Sequence, residues 1–332
     1  MVKRIDHTVL TQEEIDHILK NKELFYLKSW RDAVTKGMDA ESFAVLTSFM
    51  GDNALLGIYF SIDKGIIKLA GAPLSGTFTP YMDPLWFGNL SIEDKREIFF
   101  EQFKFLKKLG FSYIEYKFKD FMDAKDLGEG VKDFQLFVKE TYILDLNRSL
   151  DEIWNDFSPT CRQSIKEAVK NRIEVEKIEA CELDVEDFYA ILQVLYETKG
   201  EKPRHSLKFL KEIVYRMQES NHLLFQRAVL DDKIISMKIY LFDHEKFFYL
   251  CDASLDLAYE TKAVYLMHWN SIKFAKDLGV DYYDFNSKGD EVSDALKRSF
   301  SPYVYKRGHL SYKTAFAKSA EKIYKKINKI EK

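Results

Sequence analysis

The chain has 332 residues, 46% of them hydrophobic and 31% charged, with a formal net charge of −3. That length exceeds what one hydrophobic core ordinarily holds, so two domains are expected. The near-balanced charge gives no global basic field for nucleic acid, although local patches stay open. Three cysteines without a CxxC pair, Cys161, Cys181 and Cys251, read as reduced thiols of a cytoplasmic protein. The first residues lack the apolar centre of a signal peptide, and no apolar run is long enough for a membrane-spanning helix; peripheral membrane contact stays open. The histidines show no HExxH and no ligand spacing, so no metal is expected.

In chain order, Thr11-Gln-Glu-Glu14 is a capping-box pattern that opens a helix, and Trp30 leads into a second. Phe43–Phe49 and Asn53–Ile62 read as a hairpin around Gly51-Asp52. Ile66–Ala70 is a further strand, followed by a Gly/Pro-rich shaped loop from Gly71 to Pro84. Ser91 caps a helix to Leu109 with Gly110 as its stop. Phe111–Phe118 is a strand, Asp126–Gly130 a turn, and Phe134–Leu146 a β-prone run. Ser149-Leu-Asp-Glu152 opens the second half. Pro159–Asn171 is a basic helix, Arg172–Glu179 a strand, Val185–Thr198 an amphipathic helix, Gly200–His205 a loop and Leu207–Glu219 a helix. Leu223–Leu230 and Ile234–Phe242 form a hairpin around Asp231-Asp232. A strand at Phe247–Ser254, a loop to Lys262, a helix to Gly279, a strand at Val280–Asn286 and a short helix at Ala295–Phe300 follow. Tyr303–Leu310 is expected to close the sheet, ahead of a Lys-rich tail helix.

The chain repeats itself. Residues 103–116 and 272–285 share six identities, Lys104/Lys273, Phe105/Phe274, Lys107/Lys276, Leu109/Leu278, Gly110/Gly279 and Tyr113/Tyr282, at a constant offset of 169. A helix, a glycine stop and a strand recur in many α/β proteins, but here the flanking element order repeats too. The connections are too short for a doubly wound nucleotide-binding fold. The second copy adds Leu296-Lys-Arg-Ser-Phe300, which the first lacks.

Several segments carry a family likeness: Tyr142-Ile-Leu-Asp-Leu146 before a Leu-Asp-Glu helix, Ser158–Ala168, Tyr249-Leu-x-x-Ala-Ser254, Ala263-x-Tyr-Leu-x-His-Trp269, Tyr283-Asp-Phe285 and Leu296–Phe300. The first half adds Phe25, Trp30, Leu56–Tyr59 and Gly71–Tyr81. Together they resemble the FemABX family within the GNAT acyltransferase fold, which transfers an aminoacyl group from tRNA to a cell-wall precursor. The resemblance implies an α/β protein of two tandem GNAT-like domains with mixed, mainly antiparallel sheets flanked by helices. The expected division is 1–146, the acceptor side; 147–316, the donor and catalytic side; and a helix over 317–332. The family's long helical arm has no room here. Where a CoA-using GNAT has a Gly-rich turn before its central helix, this chain reads Asp256-Leu-Ala-Tyr-Glu-Thr-Lys262. The implied co-substrate is aminoacyl-tRNA, with acyl-CoA as the alternative, and no bound cofactor. The implied acceptor is an amine on a cell-envelope precursor, peptidoglycan or polysaccharide, or another saccharide. A degenerate, non-catalytic binding module is the remaining alternative; a cleft blocked by Tyr249 or Tyr283 would mark it.

The resemblance assigns Lys297 to the acyl-bearing end of the donor, where a cation can stabilise an oxyanion or bind a phosphate. Asp284 is the candidate base for the amine, or else a strand-end carboxylate capping a backbone N–H. Arg204, Tyr249, Tyr283, Thr79, Tyr81 and Trp30 are candidate substrate contacts, set against core packing and surface roles. Lys262, Arg298, Arg162 and Lys166 are candidate donor or tRNA contacts, with a solvated basic face as the alternative. His268 reads first as a satisfied core or boundary residue.

Overall fold

The structure is a computed structural model that describes residues 5–19, 23–129, 131–198 and 200–327. The chain divides into two compact units, one of Met1–Lys139 with Lys306–Lys332 and one of Glu140–Tyr305.

Unit 1 begins with β1 (Ile5–Leu10), which the sequence did not suggest because its outer positions are polar and mostly exposed. Helix α1 (Gln12–Leu19) starts on the expected capping box: Glu14 accepts the Thr11 backbone N–H and hydroxyl, each at 2.8 Å. Helix α2 (Lys28–Met38) buries Trp30, Ala33 and Val34. Strands β2 (Glu41–Phe49) and β3 (Asn53–Asp63) form the expected hairpin, with Gly51 at φ +68° in the turn. Then come β4 (Lys68–Ala72), β5 (Leu85–Phe87), α3 (Ile92–Lys108), capped by Ser91, and β6 (Tyr113–Phe118). The turn expected at Asp126–Gly130 is instead the end of α4 (Phe121–Gly128), whose N-cap Asp120 accepts the Met122 N–H; Gly130 lies outside the described residues. So the first copy also carries a helix after its repeat strand, though with a different sequence. Strand β7 (Gln135–Asp145) leads out of the unit.

Unit 2 opens with α5 (Leu150–Asp156) on its Ser149/Glu152 capping box and α6 (Pro159–Lys170). Strand β8 (Glu174–Ile178) and helices α7 (Glu182–Glu197) and α8 (Leu207–Glu219) follow. Next are β9 (Leu223–Leu230), β10 (Lys233–Phe242) and β11 (Lys246–Ser254). The loop expected before the central helix contains a short helix, α9 (Asp256–Glu260). The central helix is α10 (Ala263–Leu278), followed by β12 (Tyr282–Ser287) and α11 (Glu291–Ser299), which starts four residues earlier than expected. The chain ends with β13 (Tyr303–Lys313) and α12 (Ala315–Ile327); the last residues of the expected tail helix lie outside the described residues.

The strand order is β1-β2-β3-β4-β6-β13 in unit 1 and β7-β12-β11-β10-β9-β8 in unit 2. Each sheet has one parallel pair, β4 with β6 and β11 with β12; its other pairs are antiparallel. The domain cut drawn from the sequence differs at both ends. The expected first domain, 1–146, takes in all of β7, yet the second half of β7 pairs with β12 (Tyr283 with Leu144). The expected second domain, 147–316, takes in β13, yet Gly308–Lys313 pairs with β6. In each unit, one edge of the repeat strand is taken by its parallel partner, and the other edge is completed by a strand from the far side of the chain division. Each unit has its own core, around Phe99, Phe103, Ile114 and Tyr116 in unit 1 and around Phe247, Met267, Ile272 and Tyr283 in unit 2.

Candidate functional site

In unit 2, β11 and β12 pair only over Lys246–Phe248 and Tyr282–Asp284. Beyond that point they part, and β11 runs on to Ser254. A cleft of about 530 Å³ opens there, lined by Lys238 of β10, Tyr249 and Asp252 of β11, α9, Val264 and His268 of α10, and Leu296 and Lys297 of α11.

The polar side chains reach this cleft through the register of the β10–β11 hairpin. Ser236, Lys238, Tyr240 and Phe242 alternate along one face of β10. Their cross-strand partners are Ser254, Asp252, Tyr249 and Phe247, because a bulge leaves Leu250 without an opposite residue. Lys238 therefore faces Asp252, with Nζ 3.9 Å from the carboxylate. Asp252 also accepts the Tyr249 hydroxyl and, at 2.8 Å, the Ser254 hydroxyl. Helix α10 covers the same face: His268 Nε2 lies 3.2 Å from Lys238 Nζ, and its Nδ1 lies 2.9 Å from the Tyr283 hydroxyl.

Lys297 enters from α11. Asp294, a turn earlier, accepts the Gly289 N–H at 2.7 Å and the Tyr142 hydroxyl at 3.2 Å, which anchors the start of this helix. Lys297 Nζ then donates to the Ser287 carbonyl at 2.8 Å and sits 6.0 Å from the Tyr249 ring centre, with Lys238 Nζ at 4.9 Å from the same ring. Two lysines that are only 2% and 6% exposed thus flank one tyrosine. Burial lowers the pKa of Lys297, against the pull of Asp294 and Asp252. Burial likewise lowers Lys238, opposed by Asp252 and reinforced by Lys297. Burial, then the two lysine charges, holds His268 well below the usual imidazole value. Burial and the Asp252 charge push the Tyr249 phenol well up.

The cleft is also lined by Asp256 and Glu260 of α9 and by Asp290, all exposed. Lys262 is the N-cap of α10, with φ +65°, and is half-buried. The cleft thus offers lysine and histidine nitrogens together with carboxylates. Such an arrangement can hold a carbonyl compound against an amine and move a proton between them.

Of the residues singled out from sequence, Lys297 and Tyr249 line this cleft and Lys262 precedes its central helix. Tyr283 is fully buried behind it, bonded to His268 and to Ser271 at 2.9 Å. Asp284 is buried and is absent from the cleft lining; its carboxylate accepts the Thr141 hydroxyl at 2.7 Å and the Asn286 N–H at 2.8 Å, the strand-end role. Arg162 donates to the carbonyls of Phe157, Asn155 (2.7 Å) and Trp154 (3.5 Å), the open C-terminal end of α5, so it is a helix cap and not a phosphate contact. Lys166, Arg204 and Arg298 are exposed away from the cleft lining, Arg298 lying 4.0 Å from Asp294. Trp30, Thr79 and Tyr81 are buried in unit 1. The Trp30 indole donates to Thr79 at 3.0 Å, and the Tyr81 ring lies under Arg307 at 4.9 Å, so these side chains hold the 71–84 loop and are closed to a substrate. Sequence reasoning missed Lys238 and Asp252 and read His268 as a core residue. The one available signal was a lysine in the middle of the apolar run Ile234–Phe242.

Residues 157–307 match the family described as "Acetyltransferase (GNAT) domain". Unit 2 is therefore a GNAT acyltransferase domain. The chain as a whole has the FemX-type tandem GNAT fold: it is similar to the crystal structure of FemX, with TM-score 0.65 and 14% identity over 93% of this chain and 97% of that one. It is also similar to the C-terminal domain of a putative lysylphosphatidylglycerol synthetase from Agrobacterium fabrum (TM-score 0.57, 12% identity, 92% of each chain). A third likeness is to a tandem GNAT protein from the clavulanic acid biosynthesis pathway (TM-score 0.55, 10% identity, 93% of this chain and 98% of that one). No curated protein matches the sequence. Among the described residues, no group of His, Cys, Asp or Glu is arranged to hold a metal, and no helix is long and apolar enough to cross a membrane.

Proposed function

We propose that the protein transfers an aminoacyl group from aminoacyl-tRNA to an amine on a cell-envelope or saccharide precursor, with unit 2 handling the donor and unit 1 serving the acceptor side. The observation that carries the choice of donor is the charge at the start of α10. A CoA pyrophosphate needs free backbone N–H groups and no opposing anions at that helix N-terminus. Here the preceding turn has no glycine, and the short helix before it brings Asp256 and Glu260 to the cleft. Those carboxylates repel a pyrophosphate and attract an ammonium group. An aminoacyl ester presents no phosphate at its reactive end, and an acceptor amine arrives as a cation.

In this reading Lys297 holds the donor's acyl-bearing end, and its ammonium form stabilises the oxyanion. Tyr249 forms the wall beside it. The cleft is open, and Tyr283 lies in the core behind it, so nothing favours the reading of a blocked, non-catalytic module. Acyl-CoA as donor to a sugar or small amine is the second reading, favoured by the parting of β11 and β12, where a pantetheine arm would lie.

The test is retention and transfer. The pure protein is incubated with labelled aminoacyl-tRNA and, separately, with labelled acetyl-CoA, and bound label is measured. Retention of charged tRNA and weak or no retention of acetyl-CoA is expected. Micromolar acetyl-CoA binding without tRNA retention would overturn the choice of donor.

A further inference from the structure

With the Ser271 hydroxyl bonded within its own helix, the buried polar chain behind the cleft has one consistent set of hydrogen-bonding roles. Ser271 gives its hydroxyl proton to the His268 carbonyl at 2.9 Å. Toward the Tyr283 hydroxyl, also at 2.9 Å, it can therefore only accept. Tyr283 donates to Ser271 and so accepts from His268 Nδ1. A histidine carrying its proton on Nδ1 presents a bare lone pair on Nε2, and that lone pair faces Lys238 Nζ at 3.2 Å. Lys238 is thus the donor in that bond. Its remaining Nζ positions face Asp252 and the cleft. All four side chains are buried, which fixes the amine in place.

We propose that Lys238 is the proton-accepting residue of acyl transfer, with His268, Tyr283 and Ser271 as the positioning residues that aim its amine into the cleft. This rests on the acyl-transfer reading above. The acceptor nitrogen attacks the acyl carbonyl carbon and forms the new C–N bond. Its proton passes to the neutral Lys238 amine. The bond from the carbonyl carbon to the ester oxygen, or to a thioester sulfur, then breaks. The leaving atom keeps that electron pair and receives the proton back from Lys238. The groups facing Lys238 are Asp252 and Tyr249 of β11, His268 of α10, Lys297 of α11 and the uncharged Gln226 across on β9. Burial favours the neutral amine that the step requires.

The experiment uses the full chain as wild type, Lys238→Met, Lys238→Arg and His268→Leu, each checked for folding by circular dichroism. Donor retention and single-turnover transfer are measured across pH with whichever donor the wild type retains. Lys238→Met is expected to lower the transfer rate by about 10²-fold or more while retention changes less than about threefold. The rise of rate with pH expected of the wild type should be lost. Lys238→Arg should be equally slow, because a guanidinium cannot accept a proton. Transfer by Lys238→Met within about threefold of wild type, an unchanged pH profile, or a loss of retention that matches the loss of rate would each overturn the proposal. A wild type that retains and transfers neither donor fails the acyl-transfer reading itself. The Lys238 assignment is then decided by NMR titration of ¹³Cε-labelled lysines, with the resonance identified by its absence in Lys238→Met. Titration below the ordinary lysine range that moves in His268→Leu supports the coupled pair, and an ordinary, unmoved titration overturns it.

Discussion

Ala70 pairs with Ile114 in unit 1 as Phe247 pairs with Tyr283 in unit 2, each in the parallel pair of its sheet. Phe60 pairs with Gly71 as Leu241 pairs with Phe248. Counting from these anchors puts Gly57 where unit 2 has Lys238, Ala72 where it has Tyr249, and Glu115 where it has Asp284. The repeat offset adds Phe99 for His268 and Gln102 for Ser271. The two units thus share a scaffold, and unit 1 lacks the lysine, the tyrosine and the histidine of the cleft. In unit 1 the space is filled from within. Gln102 donates to the Val45 carbonyl (2.9 Å) and the Thr47 hydroxyl (2.8 Å) and accepts the Tyr59 hydroxyl (2.6 Å). Phe99 packs against Tyr116, Phe118 and Phe134. Strand β4 stops at Ala72, and the loop that follows turns back so that Ser75 bonds Glu115. The comparison teaches that a splayed parallel pair becomes a cleft only where the side chains beside it leave it open.

The largest expected effect is on Glu115, whose role is structural where Asp284's surroundings border a site. Burial alone would raise the Glu115 pKa. The His309 imidazole 3.0 Å away, the Lys117 charge and the Ser75 hydroxyl outweigh burial and bring it down from 4.5 to about 2. A carboxylate depressed in the folded state adds stability that is present above its unfolded pKa and lost as pH falls through the folded one, here from about 4.5 toward about 2. Glu115→Gln should therefore cost roughly 3 kcal/mol near neutral pH, and less as the medium is acidified, measured by urea unfolding. Asp284→Asn should cost under about 1 kcal/mol, since an amide oxygen still accepts from Thr141 and Asn286.

Lys297→Met should lower kcat/KM by about 10²-fold with unfolding unchanged within about 1 kcal/mol, because its ammonium is assigned to the transition state. Equal loss of stability and activity would place Lys297 with Glu115, as structure only. Next, Gly57→Ala tests whether unit 1 can accept a side chain at the Lys238 position. A Cβ there would collide with Gln102 and Tyr59, so a loss of about 2 kcal/mol is expected in thermal unfolding. The smallest effect belongs to exposed Arg298. Arg298→Ala should change stability by less than about 0.5 kcal/mol, its ion pair with Asp294 being long and its own side chain exposed. A large drop in charged-tRNA retention in that variant would extend the donor surface beyond the cleft.

The capping boxes at Thr11 and Ser149, both hairpins and the repeated helix-Gly-strand were legible because each is set by neighbours in sequence. The exchange of β7 and β13 was not, since which strand completes which sheet depends on edges far apart in the chain. The candidate site divided in the same way. Lys297 could be found from a short local motif. Arg162 looked like a phosphate contact because its helical spacing with Lys166 is visible, whereas the carbonyls it caps become neighbours only once α5 and α6 fold against each other. Lys238 and His268 become partners only when α10 packs on the β10–β11 hairpin.

The bulge at Leu250 inverts the odd-even bookkeeping of β11. In an unbroken strand, residues 249 and 252 point to opposite sides of the sheet. One surplus residue between them brings the phenol of Tyr249 and the carboxylate of Asp252 to the same side, opposite Tyr240 and Lys238. Flattening the bulge, so that Leu250 pairs in a regular ladder, would change no charged or polar group of the cleft. It would set every side chain after it out of phase, carrying Asp252 and Ser254 to the far face and bringing Cys251 and Ala253 into their places. The chemistry of the cleft thus depends on the parity of a strand as much as on the residues in it.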